Sequence, residues 1–158
     1  MLDRFPITTQ GYKLINEELS RLKSVDRPQI ITAIAEARAH GDLSENAEYS
    51  SAKEKQGFIE AKIADLESKV SRAEVIDVLK IQSDKVVFGA TVDLVDEDTE
   101  DKYRYQIVSD YEADISRNLI SVTSPLGRAL LGRNTGDEVE VQTPKGIKYY
   151  EILQISFV

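Results

Sequence analysis

Ala52, Gln56, Ile59, Ile63, Leu66, Val70 and Ala73 follow one another at alternating spacings of four and three. That repeat places small and apolar side chains on one stripe of an α-helix and requires a second helix to cover it. Upstream, Ile15, Leu19 and Leu22 form a similar stripe, which resumes at Ile30, Ile34 and Ala37. Between Leu22 and Ile30 the stripe slips, and Pro28, which lacks a backbone donor, predicts a kink there. The two helical stretches are joined by a short, legible boundary. Arg38 and His40 stand in a last turn, where positive charge suits the helix C-terminus, and Gly41 can take a left-handed cap. Asp42 reads as the N-cap of the next helix, with Glu45 three residues on completing a capping box. So tight a connection forces an antiparallel hairpin, a finger roughly 40–45 Å long at about 1.5 Å per residue.

After about residue 80 the helical period gives way to short alternating runs. Val86, Phe88, Ala90, Val92 and Leu94 predict a strand over Lys85–Val95, with a bulge at Gly89. The acidic stretch Asp96–Asp101 reads as a solvated turn. Tyr103–Val108, Asn118–Thr123, Glu138–Thr143 and Ile147–Ile155 are further strands, the last two joined at Pro144-Lys145-Gly146. Ser124, Pro125 and Gly132 bracket a short helix over Pro125–Leu131. The expected architecture is α+β: a long antiparallel α-helical hairpin (coiled coil) over residues 1–78, then a small antiparallel β-sheet domain with a short helix over 79–158.

Several function classes are closed off. Cysteine is absent, which excludes thiolate metal sites and cysteine nucleophiles; with one histidine among 158 residues and no nucleophile elbow, paired-histidine metal motifs are absent and a His-based triad is not expected. His40 is better explained as a helix-end cation than as a base. The net charge is −8, and residues 1–80 hold 12 Lys and Arg against 14 Asp and Glu. A protein that coats nucleic acid carries a basic face, so strong direct nucleic-acid binding is not expected. No apolar run reaches the ~20 residues of a membrane span. The first residues lack the basic-then-apolar order of a signal peptide. A cytoplasmic monomer is the expectation.

The hairpin end, Gly41-Asp42-Leu43-Ser44-Glu45-Asn46-Ala47-Glu48-Tyr49, allows two readings. In one, Asp42 and Glu45 do no more than cap a helix. In the other they present two carboxylates at the end of a finger, on one side of a helix start. Two carboxylates are too few for Mg²⁺, which demands six oxygens in octahedral order. They suit a site whose remaining ligands belong to a partner.

The run from Ala35 through Tyr49, followed by Ala52-Lys53-Glu54 and Gln56-Gly57-Phe58, resembles the signature of the Gre transcript-cleavage factors, GreA type. Downstream, Phe88-Gly89-Ala90, Tyr105-Gln106-Ile107-Val108, Ile120 through Pro125, Gly136-Asp137 and Thr143 through Gly146 resemble the same family's C-terminal domain, in order. The resemblance implies an FKBP-like fold for that domain and docking of it on bacterial RNA polymerase. It implies that the hairpin enters the polymerase's secondary channel and stimulates the polymerase's own cleavage of the RNA 3′ end extruded on backtracking. In that reading the chain is not an enzyme and holds no cofactor when free. Asp42 and Glu45 would be donated to the polymerase's active site as catalytic ligands of a shared Mg²⁺. Arg38 and Lys53 would form a basic patch that contacts RNA. Lysine at the second position grips phosphate less geometrically than arginine. The nearly balanced charge of the first 80 residues fits the GreA branch better than the more basic GreB branch. The alternative is a related antagonist that occupies the channel without promoting cleavage; the Asp42/Glu45 pair argues against it.

Overall fold

The structure, a computed structural model, describes residues 3–41 and 46–158. The chain forms two compact units. One comprises residues 12–73; the other joins 3–11 to 74–158. Among the described residues no helix is long and apolar enough to cross a membrane.

The first unit is the helical hairpin. α1 (Thr9–Arg21) runs through a π-helical turn (Leu22–Asp26) into α2 (Arg27–Arg38), and α3 (Ala47–Arg72) returns antiparallel. The buried residues of the ascending arm are Ile15, Leu22, Ile30 and Ala37, at steps of seven, eight and seven. Seven residues return a side chain to within ~20° of the same direction, whereas eight overshoot by about 80° at 3.6 residues per turn. The π turn falls inside the eight-residue step. There the Arg27 N–H bonds to the Leu22 carbonyl, five residues back, so one extra residue is absorbed and the stripe stays aligned. The kink expected at Pro28 is thus a widened turn just before it, at a place where the proline ring would press on the preceding turn's carbonyl. On α3 the seam residues Ile59, Ile63 and Leu66 are buried, while Ala52, Gln56 and Val70 are half-buried, as is Ala73 just past the helix end. Flanking ion pairs join Glu18 to Lys62 (2.8 Å), Lys23 to Glu67 (3.3 Å) and Arg27 to Glu60 (2.7 Å). All are solvent-exposed and worth less than the apolar seam.

The helical pattern expected to run to residue 78 ends at Arg72. Ala73–Ile76 is instead a strand, β2, paired with β1 (Phe5–Thr8). The start of the chain therefore belongs with the second unit, and the boundary differs from the one the change of periodicity suggests. Glu112 explains the attachment. Its carboxylate accepts from the Thr8 N–H (3.1 Å), the Thr8 hydroxyl, the Ser109 N–H (3.3 Å) and the Ser109 hydroxyl (2.9 Å). The Thr8 hydroxyl in turn accepts from the Gly11 N–H (3.0 Å) and caps α1. A side chain at Gly11 would overlap the Glu112 carboxylate. Phe5 meets Tyr111 edge-on, with ring centroids 4.8 Å apart.

The second unit is built on a curled five-stranded sheet in the order β5-β4-β3-β7-β6. Its strands are β3 (Thr91–Asp96), β4 (Lys102–Val108), β5 (Leu119–Ser121), β6 (Glu138–Thr143) and β7 (Gly146–Ser156). α4 (Pro125–Leu130) starts on the Ser124 hydroxyl, which accepts from the Gly127 N–H (3.0 Å). Val92, Leu94, Ile107, Leu130, Val139 and Ile152 form the centre of the core. Three details depart from expectation. The sheet is antiparallel except for β4 and β5, which run parallel, because the connector between them carries the chain back to its starting end. The stretch Lys85–Ala90 is not a strand: Val86 is held by backbone bonds to Gly132 and Arg133 and Gly89 turns the chain, and only Val86 and Ala90 of the expected inward set Val86, Phe88 and Ala90 are buried. Asp96 is buried rather than solvated. It accepts from the Asp98 (2.9 Å) and Thr99 (3.3 Å) N–H groups and from the Lys148 ammonium (3.3 Å).

Two outcomes follow for stability. Val25 is exposed, so deleting it together with Pro28→Ala should convert the π turn to plain α-helix while keeping Leu22 and Ile30 aligned. The melting temperature should stay close to the parent's. Deleting Ala33 should turn the seam aside and expose aliphatic side chains worth ~1.5–3 kcal/mol each; equal melting of the two deletions would refute the register argument. The second concerns Asp96, whose pKa is lowered chiefly by the Asp98 N–H, with help from Thr99 and Lys148. A lowered folded-state pKa stabilises above the ordinary carboxylate pKa of about 3.9 and is lost as pH falls through the folded value. Asp96→Asn should therefore be less stable than the parent at neutral pH, with the gap closing in acid denaturation below about pH 4.

Candidate functional site

The hairpin end is organised by residues on both sides of the turn. α2 closes with bonds from the Ala39, His40 and Gly41 N–H groups to carbonyls of the last turn. Gly41 has φ +106°, a conformation that L side chains resist. α3 begins at Ala47, and its N-cap is Asn46, whose side-chain oxygen accepts from the Tyr49 N–H at 3.0 Å. The cap expected at Asp42 is therefore held by Asn46, which ranks equally well there. Asp42 and Glu45, the two acids singled out from the sequence, lie outside the described residues.

Three contacts cross between the arms. The Asn46 side-chain NH₂ donates to the Ala37 carbonyl at 2.6 Å. His40 Nδ1 lies 3.2 Å from Glu48 Oε2, so His40 pairs across the hairpin end. The Arg38 guanidinium sits over the Tyr49 ring, 5.7 Å from its centroid. Stacking on an aromatic face leaves the guanidinium's N–H edge free and holds its plane. Lys53 is exposed and donates to the Gln56 side chain at 3.2 Å. Tyr49 and Lys53 are four residues apart and share a face of α3. Arg38 is thus held over Tyr49, and Lys53 is exposed one turn further along α3 from that ring. Sequence reasoning missed the roles of Asn46 and Tyr49. The signal for Asn46 was present, a good cap residue before a helix, but Asp42 competed for the same assignment.

In the second unit a groove of about 480 Å³ opens between β5, α4 and the β6–β7 turn, with Tyr105, Ile115, Leu126 and Pro144 among its walls. Beside it, the Asp110 carboxylate accepts from the Ser121 and Thr123 hydroxyls, which lower its pKa. Among the described residues no cluster of three or more acids or histidines can hold a metal ion.

The chain thus joins a helical hairpin to a curled-sheet domain that bears an apolar groove. Residues 5–75 match the family described as "Transcription elongation factor, N-terminal", and residues 81–157 match "Transcription elongation factor, GreA/GreB, C-term". The transcription elongation factor GreA of Phenylobacterium zucineum is 58% identical over 157 residues, 99% of this chain and 100% of that protein. GreA of Rickettsia canadensis is 53% identical over 157 residues, 99% of this chain and 97% of that protein. Among solved structures, GreA factor homolog 1 of Thermus thermophilus shares 28% identity over 97% of this chain and 99% of that one, with a TM-score of 0.45. The chain belongs to the GreA/GreB family of transcription elongation factors.

Proposed function

We propose that the hairpin end enters the secondary channel of bacterial RNA polymerase in the cytoplasm and stimulates the polymerase's own cleavage of RNA extruded from backtracked complexes. The observation that carries this reading is membership of the elongation-factor family along the whole length of the chain, both units included. The geometry of the hairpin end is consistent with it. Arg38, braced on Tyr49, and Lys53, one turn further along α3, offer two cations. Such a pair attracts the phosphates of an RNA 3′ end without making the chain a general nucleic-acid binder. Asp42 and Glu45 would supply carboxylate oxygens to a Mg²⁺ held jointly with the polymerase. A second ion in such a site activates water and stabilises the oxygens of an in-line displacement. Two carboxylates leave most of the octahedron to the polymerase, so the chain is an accessory factor and not itself a nuclease.

Asp42→Asn with Glu45→Gln removes both charges and leaves the Asn46 cap untouched. Cleavage by backtracked polymerase should fall by about 10²-fold or more, the scale of losing a group that stabilises transition-state charge. Competition for the channel and thermal melting should persist. Near-normal cleavage by this double variant would overturn the assignment of the acids. If the parent competes for the channel but does not promote cleavage, the antagonist reading replaces this one.

The second unit supplies polymerase affinity in this reading, and its groove has the apolar walls that a protein contact needs. Ile115 is 70% exposed at that groove. Ile115→Asp should raise the concentration needed for half-maximal stimulation several-fold while leaving the plateau at saturation unchanged. A lowered plateau with unchanged half-saturation would place the chemistry, rather than docking, at the groove.

A further inference from the structure

We infer that Asn46 is a positioning residue for the cleavage reaction, acting through the tie it makes between the two arms of the hairpin. The inference rests on the proposed function of the hairpin end and adds a residue to it.

One side chain makes two bonds of opposite sense. Its oxygen accepts from the Tyr49 N–H at 3.0 Å, in the first turn of α3. Its nitrogen donates to the carbonyl of Ala37 at 2.6 Å, in the last turn of α2. The amide orientation follows from the partners, since a flipped group would set donor against donor and acceptor against acceptor. Asp can make the first bond but has no proton for the second, and would set a carboxylate against a carbonyl. Ser can also make the first, but its oxygen is too close to the backbone to cap α3 and reach Ala37 at once. A cap alone therefore does not call for asparagine, because Asn, Asp and Ser serve almost equally. The bridge does.

The tie also lies where water does not readily replace it. Asn46 is half-buried, and Ala37 is 3% exposed, the last buried residue of the ascending arm. Of the other cross-arm contacts at this end, His40 with Glu48 joins two exposed side chains, and Arg38 over the half-buried Tyr49 ring leaves an exposed guanidinium, so both hold less firmly. Asn46 thus sets the separation of the two chain segments that flank positions 42–45. Mg²⁺ tolerates little error in the placement of its ligands, and a misplacement of ~1 Å at a reacting centre can cost ~10²-fold in rate. A bond worth little to folding can therefore matter much to stimulation.

Asn46→Asp and Asn46→Ser separate the bridge from the cap, and the full-length variants can be assayed with backtracked polymerase. Helix content, melting temperature and competition for the channel should match the parent. Stimulation should fall by about 10-fold or more at low Mg²⁺, and the Mg²⁺ concentration for half-maximal stimulation should rise in both variants. Parent-like stimulation with a parent-like Mg²⁺ dependence in both variants would show that Asn46 only caps α3. A loss of stimulation that merely tracks lost channel competition or lost melting would equally refute a positioning role. The Asp42→Asn/Glu45→Gln variant, run alongside, reports separately on the proposed function. If it cleaves normally, the shared-metal reading fails whatever Asn46 does.

Discussion

The hairpin depends on keeping two buried stripes opposed along the whole length of a pair of helices. The stripe of α3 is regular, whereas the ascending arm carries one residue too many between Leu22 and Ile30. A continuous α-helix would turn Ile15 and Leu22 away from the direction of Ile30 and Ala37. The π turn at Leu22–Asp26 takes up the surplus, and Pro28, which cannot complete the α-helical ladder there, removes the reason to stay regular. Ala37 then ends the stripe beside Asn46, where the two arms can be tied. The geometry at the hairpin end is thus set by a register decision made about three to four turns away along the helix.

The second unit is governed by a different constraint, pairing of a short sheet from both sides of its central strand. β3 lies between β4 and β7, and its alternate residues Val92 and Leu94 are wholly buried. Its last residue, Asp96, is buried too, and three donors make that tolerable. Glu112 does for the start of the chain what Asp96 does for the β3–β4 turn. Each carboxylate collects backbone and side-chain donors that would otherwise lack partners, and so fixes a connection that apolar packing alone would leave loose. Electrostatics here organises turns and attachments, while the core supplies stability.

The candidate site shows the same division between local and non-local information. Arg38 and Lys53 were singled out only because both lie in a motif with a strong family resemblance. The seat of Arg38 over Tyr49 was not legible, since it needs the pairing of α2 with α3. The sequence pattern pointed to Asp42 as the cap, and Asn46 holds it. The second bond of Asn46 was not legible either, because the Ala37 carbonyl is nine residues away and comes near only once the hairpin closes.

Patterns of three, four and two residues settled the helical seam, α4 and most of the strands, because those elements are selected by which face of a short segment meets the core. Composition also closed off thiol chemistry, since cysteine is absent. Tertiary structure alone decided that Phe5–Thr8 pairs with Ala73–Ile76, that β5 runs parallel to β4, that Asp96 is buried, and that a π turn rather than a bare proline kink carries the helix past Pro28. Each of these turns on a partner distant in sequence or on the register of two elements together. Local periodicity reports which side of a segment is apolar, and it carries no record of what that side will meet.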